Sequence, residues 1–593
     1  MKRSEAKTEY TWDLTPLYAD DAAWEAEGAR ITETANGLAS FKGRISACGA
    51  DLLEYLRRSE TFNSTVERYY VYAMLKSDED KSNSKYQAFT GKARTLLNGV
   101  SALLAFETPE IVSIPDETLD RFYAETPGLE YYRRLLDRQR AYKPHTLSEP
   151  EEKLLAMAGD ISSVPTNVAS VFRNADLKFP DITDAEGNVR KVTQGSFIPL
   201  MESPDVETRR KAFLSVYETY EKYKATMAAL FDGQVKQLSF YTKARGFANN
   251  MERALFRTEV PVSVYKNLVA AVNEHMDSMH KFMRLRKKIM DVDELHMYDI
   301  YTPLIPEADI KITFEHAKEL ALKALAPLGE EYLSHIKEGF ENRWIDVYEN
   351  EGKRGGAYSC GTPVHPYVLL NHNDTLDSAF TLVHEMGHAI HSYLSNANQS
   401  PAYADYVIFV AEVASTFNES LLMQYLLRTT TDKKQKAYLI NHFLEQFRTT
   451  LYRQTMFAEF EMQMNEYVEK GGSLTADALC DMYYALNKKY YGDDMVVDKE
   501  ISMEWARIPH FFMNYYVYQY ATGFSAAMAL SAKVLKEGKP AVEKYLEFLS
   551  SGCRKDPISL LRGAGVDMDS PEPIAEALKL FDSLIDEMET LVG

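Results

Sequence analysis

"FTLVHEMGHAIHSYL", residues 380–394, sets two histidines four apart around a glutamate in a run of otherwise apolar or small side chains. Residues four apart share one face of a helix, so His384 and His388 can both present a ring nitrogen to one zinc ion. Glu385 lies beside them, where its carboxylate can take a proton from water activated by that ion. Leu382, Val383, Met386, Ala389 and Ile390 make the segment an apolar helix and predict that it is buried. Two imidazoles and a carboxylate buried without partners would be costly, which weighs against the plainer alternative of histidines packed in a core helix.

A catalytic zinc of this kind needs a third protein ligand and an open position for water. "YADYVIFVAEVASTFNESLL", residues 403–422, offers Glu412, 24 residues after His388 in another apolar, helix-compatible run. Between the two runs, "SNANQSPAYAD" is rich in turn formers and can reverse the chain, bringing Glu412 against the face of His384 and His388. Glu419, two turns beyond Glu412, and Asp377, two turns before His384, are candidates to orient the ligands; ordinary surface acids are the competing reading for each. His365, His372 and His391 are not assigned as ligands, because the inferred set is complete without them.

Composition narrows the function classes. The 593 residues suffice for more than one packed subdomain, and 45% hydrophobic with 26% charged residues is the make-up of a soluble globular protein. The 87 acidic against 67 basic side chains give a formal charge of -20, which repels nucleic acid and anionic lipid. No run is long enough to span a membrane; "LLNGVSALLAF" at 96–106 is short and interrupted by Asn98. The N-terminus has polar residues where a signal peptide is apolar, so a cytosolic location is expected. Cys48, Cys360, Cys480 and Cys553 are scattered with no CxxC pair, and read as reduced thiols.

Apolar residues recur at helical spacing nearly everywhere, so the expected class is mainly α. "DDAAWEAEGARITETANGLASF" opens on an Asp cap; Ser203-Pro204 reads as the cap and first position of a long helix; "PVSVYKNLVAAVNEHMDSMHKFMRLRKKIM" reads as another. Residues 176–193 predict a hairpin around Glu186-Gly187-Asn188, and a domain boundary is expected just after it, giving an N-terminal helical region, 1–195, and a catalytic helical region, 196–593. Residues 343–371 predict three short strands. Within them "GGAYSCGT", 355–362, reads as an edge strand, and Gly356, Ala357 and Tyr358 are candidates to bind an extended peptide through main-chain hydrogen bonds.

Taken together, His384-Glu385-Met386-Gly387-His388, Glu412 within "FVAEVASTFNE", "WDLTPLY" at 12–18 and "IPHFFMNYYVYQYATG" at 508–523 resemble the thimet oligopeptidase family of zinc metallopeptidases, in its bacterial oligoendopeptidase F branch. The resemblance runs from about residue 10 to the C-terminus. It implies a mainly helical, two-lobed molecule whose halves enclose a deep substrate channel, with one zinc ion per chain and short unstructured oligopeptides as substrates. It also implies that His510 and one or two tyrosines stabilise the oxyanion. Tyr516 and Tyr520 are four apart on one helical face and are the candidates, although the histidine-to-tyrosine spacing is one residue longer than in the thimet oligopeptidase branch. The competing reading of Tyr515, Tyr516, Tyr518 and Tyr520 is an aromatic core stripe. Two other functions stay open at this level: a metallocarboxypeptidase trimming C-termini, and a non-enzymatic peptide-binding module, for which retention of Glu385 has no chemical reason. The sequence does not determine the oligomeric state.

Overall fold

The computed structural model describes residues 1–305 and 311–592. The chain is mainly helical, with seven short strands among the described residues: β1 Ile182–Thr183, β2 Val189–Arg190, β3 Leu295–His296, β4 Ile345–Asp346, β5 Tyr358–Cys360, β6 Tyr367–Leu369 and β7 Met495–Val496. No helix among the described residues is long and apolar enough to cross a membrane. The four cysteines are free.

Two compact units divide the chain, each assembled from three stretches: Met1–Pro144, Ile310–Tyr425 and Leu530–Val566 in the first, His145–Asp309, Leu426–Ala529 and Asp567–Gly593 in the second. Residue 195, where the sequence suggested a boundary, lies inside the second unit. Packing, not order along the chain, decides membership. In the first unit Trp24 is stacked against Tyr69 at 4.5 Å and Phe89 at 4.1 Å, uniting the helices Asp21–Ala39, Gly49–Glu79 and Ser84–Leu103. Tyr367 and Leu369 of β6 are buried in that same cluster, which ties the later stretch to the N-terminal helices.

In the second unit a buried carboxylate does the joining. Glu504 accepts from Arg453 at 2.6 Å, Arg507 at 2.8 Å and the Tyr483 hydroxyl at 2.6 Å. Burial disfavours its charge, but the two guanidiniums overcome that and hold it at about 2.

Several expected elements are present with altered boundaries. Asp20 caps the first long helix, its side chain accepting from the Ala23 N–H. The helix expected from Ser203-Pro204 starts later, at Val206, because Asp205 accepts from the Thr208 N–H and so takes the cap; it then ends at Lys222, and a second helix runs Lys224–Ala244. The run from residue 261 likewise divides at His275, into Val262–Glu274 and Met276–Met290. The hairpin near residue 187 is real but brief, with Ile182 opposite Arg190 and Gly187 at φ 86° in its turn. All three strands expected before the motif form one sheet in the order β4–β6–β5, parallel then antiparallel, which leaves β5 at an edge.

Candidate metal centre

The motif occupies one helix of the first unit, Leu376–Asn398, started by Thr375, whose side chain accepts from the Ser378 N–H. Glu412 stands in the first turns of the helix Ile408–Thr429. What lets these helices meet is Gly387, between the two histidines. A Cβ there would lie 2.7 Å from the Ala414 carbonyl oxygen and 2.7 Å from the Ser415 Cα, so any side chain would force the backbones apart. Asn418, fully buried, braces the same crossing: its amide donates to the Val383 carbonyl at 3.1 Å and its oxygen accepts from Tyr332 at 3.1 Å.

The crossing aims three donors at one point. Nε2 of His384 and Nε2 of His388 lie 3.6 and 3.7 Å from Oε2 of Glu412, and the three atoms lie within 4.8 Å of one another. Ligands about 2.1 Å from a shared tetrahedral zinc sit about 3.4 Å apart, so small side-chain adjustments would close the set on such an ion. Among the described residues this is the one group of three histidine, cysteine or acidic side chains so arranged. Both rings are also tethered from behind. Nδ1–H of His384 donates to Glu419, and the His388 ring donates to the Ala411 carbonyl, an arrangement in which both Nε2 atoms face Glu412. Burial disfavours a charged His384, but the bond to Glu419 outweighs this and raises it to about 9; burial and the neighbouring His384 push His388 down to about 3. Asp377 stands in the first turn of the motif helix, its carbonyl accepting from the Thr381 hydroxyl.

Glu385 is 6% exposed, and burial pushes its carboxyl up to about 7 despite His384 nearby. One bond reaches it from the backbone N–H of Ser359, in the edge strand β5, while its Oε2 has no hydrogen-bond partner. The candidate peptide strand and the candidate base are therefore in contact. Tyr358 turns away from them, its hydroxyl donating to Asp78 at 2.6 Å. The remaining histidines pack elsewhere: His365 is stacked on Trp344 at 5.0 Å, His391 on Tyr406 at 3.7 Å, and a His372 ring nitrogen lies 3.1 Å from the Ile312 carbonyl oxygen.

The segment 507–524 belongs to the second unit. His510 lies in a 3₁₀ turn, Pro509–Phe512, and the rings of His510, Tyr516 and Tyr520 cluster, with centroids 6.1, 6.0 and 5.6 Å apart. Tyr515 and Tyr518 instead enter the core against Tyr265, at 5.3 and 5.0 Å. The aromatic-stripe reading thus describes two of the four tyrosines, and the pair four apart is the pair beside His510. Burial, with Arg173 and Arg453 nearby, lowers the His510 pKa. Asn514 and Tyr515 both adopt left-handed φ, 51° and 54°, a conformation that costs about 1–2 kcal/mol per residue for a side chain such as tyrosine.

Comparison with known proteins decides the family. The model of peptidase family M3 matches residues 199–580, and that of oligopeptidase F matches residues 110–179. The chain belongs to peptidase family M3. Oligopeptidase PepF of Bacillus subtilis strain 168 is 48% identical over 100% of this chain and 88% of its own length; an oligoendopeptidase F homolog of Lactococcus lactis subsp. lactis is 40% identical over 100% and 98%. Among solved structures, a peptidase from Chlamydophila abortus superposes with a TM-score of 0.94 at 34% identity over 100% of this chain and 99% of that one. Oligoendopeptidase-F from Enterococcus faecium does so with 0.75 at 37% identity over 96% and 99%. The M3 chain is thus a metalloendopeptidase acting on oligopeptides, and its described residues include a His-His-Glu group that could hold a metal ion. Sequence reading missed four groups of this M3 site: Gly387, Asn418, the Ser359 N–H and the Ala411 carbonyl. Only Gly387 left a signal, a glycine in the middle of an apolar helix.

Proposed function

We propose that this M3 peptidase is a zinc endopeptidase that hydrolyses internal bonds of short, unstructured peptides. His384, His388 and Glu412 would hold one zinc ion per chain; two imidazoles and a carboxylate with convergent donor atoms are the donor set such an ion prefers. When bound, that ion supplies a Lewis acid that polarises the scissile carbonyl and lowers the pKa of water. Glu385 takes the proton from the attacking water and hands it to the leaving amine. A carboxyl raised to about 7 is matched to accepting and returning a proton near neutrality. Glu419 fixes the tautomer of His384. His510, Tyr516 and Tyr520 supply donors to the oxyanion, the role that the family resemblance assigns them. The edge strand β5 pairs with the main chain of an extended substrate around Gly356, Ala357 and Tyr358, which tolerates many side chains.

The observation that carries this reading is the convergence of both Nε2 atoms on Glu412, with the Glu385 carboxyl alongside. The test is an internally quenched peptide blocked at both ends. Internal cleavage that stops on chelation and returns with zinc is the expected result. Cleavage that requires a free C-terminus would instead identify a carboxypeptidase.

A further inference from the structure

We propose that Glu461 is a positioning residue of this peptidase: its carboxyl group fastens the left-handed turn at Asn514–Tyr515 and so fixes Tyr516 and His510. The claim rests on the oxyanion role proposed above for those two side chains. Glu461 lies in the helix Arg453–Glu469 and is 1% exposed. Its Oε1 accepts from the Tyr515 N–H, and its Oε2 has no hydrogen-bond partner. An acid buried with one hydrogen bond stabilises a core less than leucine or methionine of similar size would, so packing does not explain it.

The turn it holds does need holding. Six non-glycine residues have positive φ among the described residues, and Asn514 and Tyr515 are the only adjacent pair. Tyrosine pays a steric penalty in that conformation that glycine does not, and such strain persists only where surrounding contacts enforce it. Two contacts enforce it here, one from the Arg453–Glu469 helix and one from the Val262–Glu274 helix that is bonded to it. Glu461 takes the N–H, and Tyr265, whose hydroxyl donates to the Ala458 carbonyl at 2.7 Å, packs its ring on Tyr515. With Tyr515 turned inward, Tyr516 emerges on the other side, half-buried, facing His510. Relaxing Tyr515 to an ordinary φ would redirect both.

The carboxyl is also of the right kind. Burial raises it to about 8, so it is neutral at pH 7, and a glutamine reproduces its shape and its acceptor oxygen. In zinc-loaded enzyme, Glu461→Gln should therefore keep kcat within about two-fold of wild type. Glu461→Leu should lower kcat by about ten-fold or more, with KM and zinc content unchanged, since only the transition-state donors are displaced. In a Tyr516→Phe background the same leucine change should cost less than about three-fold, because one of the two groups it misplaces is already gone.

Unchanged kcat in Glu461→Leu, even with a lowered Tm, would overturn the proposal, as would a glutamine variant as damaged as the leucine one, or full additivity with Tyr516→Phe. Should the leucine variant not fold, Asn514→Ala serves, since it raises the cost of the turn without touching the helix: kcat must fall at constant KM, and no fall refutes the claim. Tyr516→Phe and His510→Gln, measured alone, test the oxyanion role; if both keep full turnover, that role is lost and the Glu461 proposal falls with it.

Discussion

Glu385 and Glu412 are the same side chain within one small volume, yet their surroundings separate their roles. Glu412 directs an oxygen at both Nε2 atoms, while Glu385 is buried, pushed up to about 7 and bonded to a strand N–H. Glu385→Gln should therefore retain stoichiometric zinc and the fold while kcat falls by about 10²–10⁴-fold; metal analysis beside single-turnover kinetics checks it, and a parallel loss of zinc would make Glu385 a ligand. On the proposed ligand set Glu419 reaches the metal through His384, so Glu419→Ala should weaken zinc binding by about 10–100-fold, and Glu412→Ala by more, as competition with a chelator would measure. The two histidines and Glu385 were legible in the sequence because their relation is purely helical, set by a spacing of four. Glu412 was legible because a turn-rich stretch separates two apolar helices. The tethers behind the rings were not: the Ala411 carbonyl and the Ser359 N–H are backbone groups, and no residue type advertises them.

At the scale of elements, the site depends on how closely two helices cross. Alanine is a better helix former than glycine by about 1 kcal/mol, so propensity alone favours Gly387→Ala. The crossing reverses that sign. With a Cβ 2.7 Å from the backbone of Ala414 and Ser415, the helices must separate, and the expected result is a loss of about 1–3 kcal/mol in stability together with weaker zinc binding. Urea unfolding and chelator competition on one preparation would show both; a variant more stable than wild type with full zinc affinity would contradict the close crossing.

The helix Arg453–Glu469 carries a second element-scale effect. Glu461 has a carboxyl raised to about 8 by burial, against about 4.3 in an unfolded chain, and the tyrosines it faces, Tyr265 and Tyr515, are themselves held neutral. A raised carboxyl means that the folded state holds its proton longer, so stability falls as pH rises from about 4.3 to about 8 and is level beyond. Glu461→Gln has no such proton to lose. Its Tm relative to wild type should rise across that interval, and a Tm difference independent of pH would show the acid to be ionised already. Element types were legible from periodicity, but the breaks at Tyr223 and His275 and the cap at Asp205 were not, since neighbouring residues offered equally good local signals.

For the whole molecule, three stretches of chain build each unit, and a reading along the sequence places its boundary where local structure changes instead. Contacts such as Trp12 against Tyr367, with ring centroids 6.3 Å apart, join residues far apart in sequence, and no local pattern encodes them. With β5 as the proposed substrate strand, function at this scale is a matter of what can reach an edge strand. A substrate that pairs with β5 must be extended over several residues, and a folded host would have to unfold, at about 5–15 kcal/mol, to offer that. One cleavable sequence presented as a free peptide and as a loop of a stable host should be cut in the first form and spared in the second; equal rates would show that extension is not required. The most direct test of a single-zinc endopeptidase is titration of metal-free enzyme with zinc while it cleaves a quenched peptide blocked at both ends. Internal cleavage should rise linearly and stop at one zinc per chain, and be absent from Glu412→Ala at the same zinc concentration. Turnover without metal, or a rise that continues to two ions per chain, would contradict it.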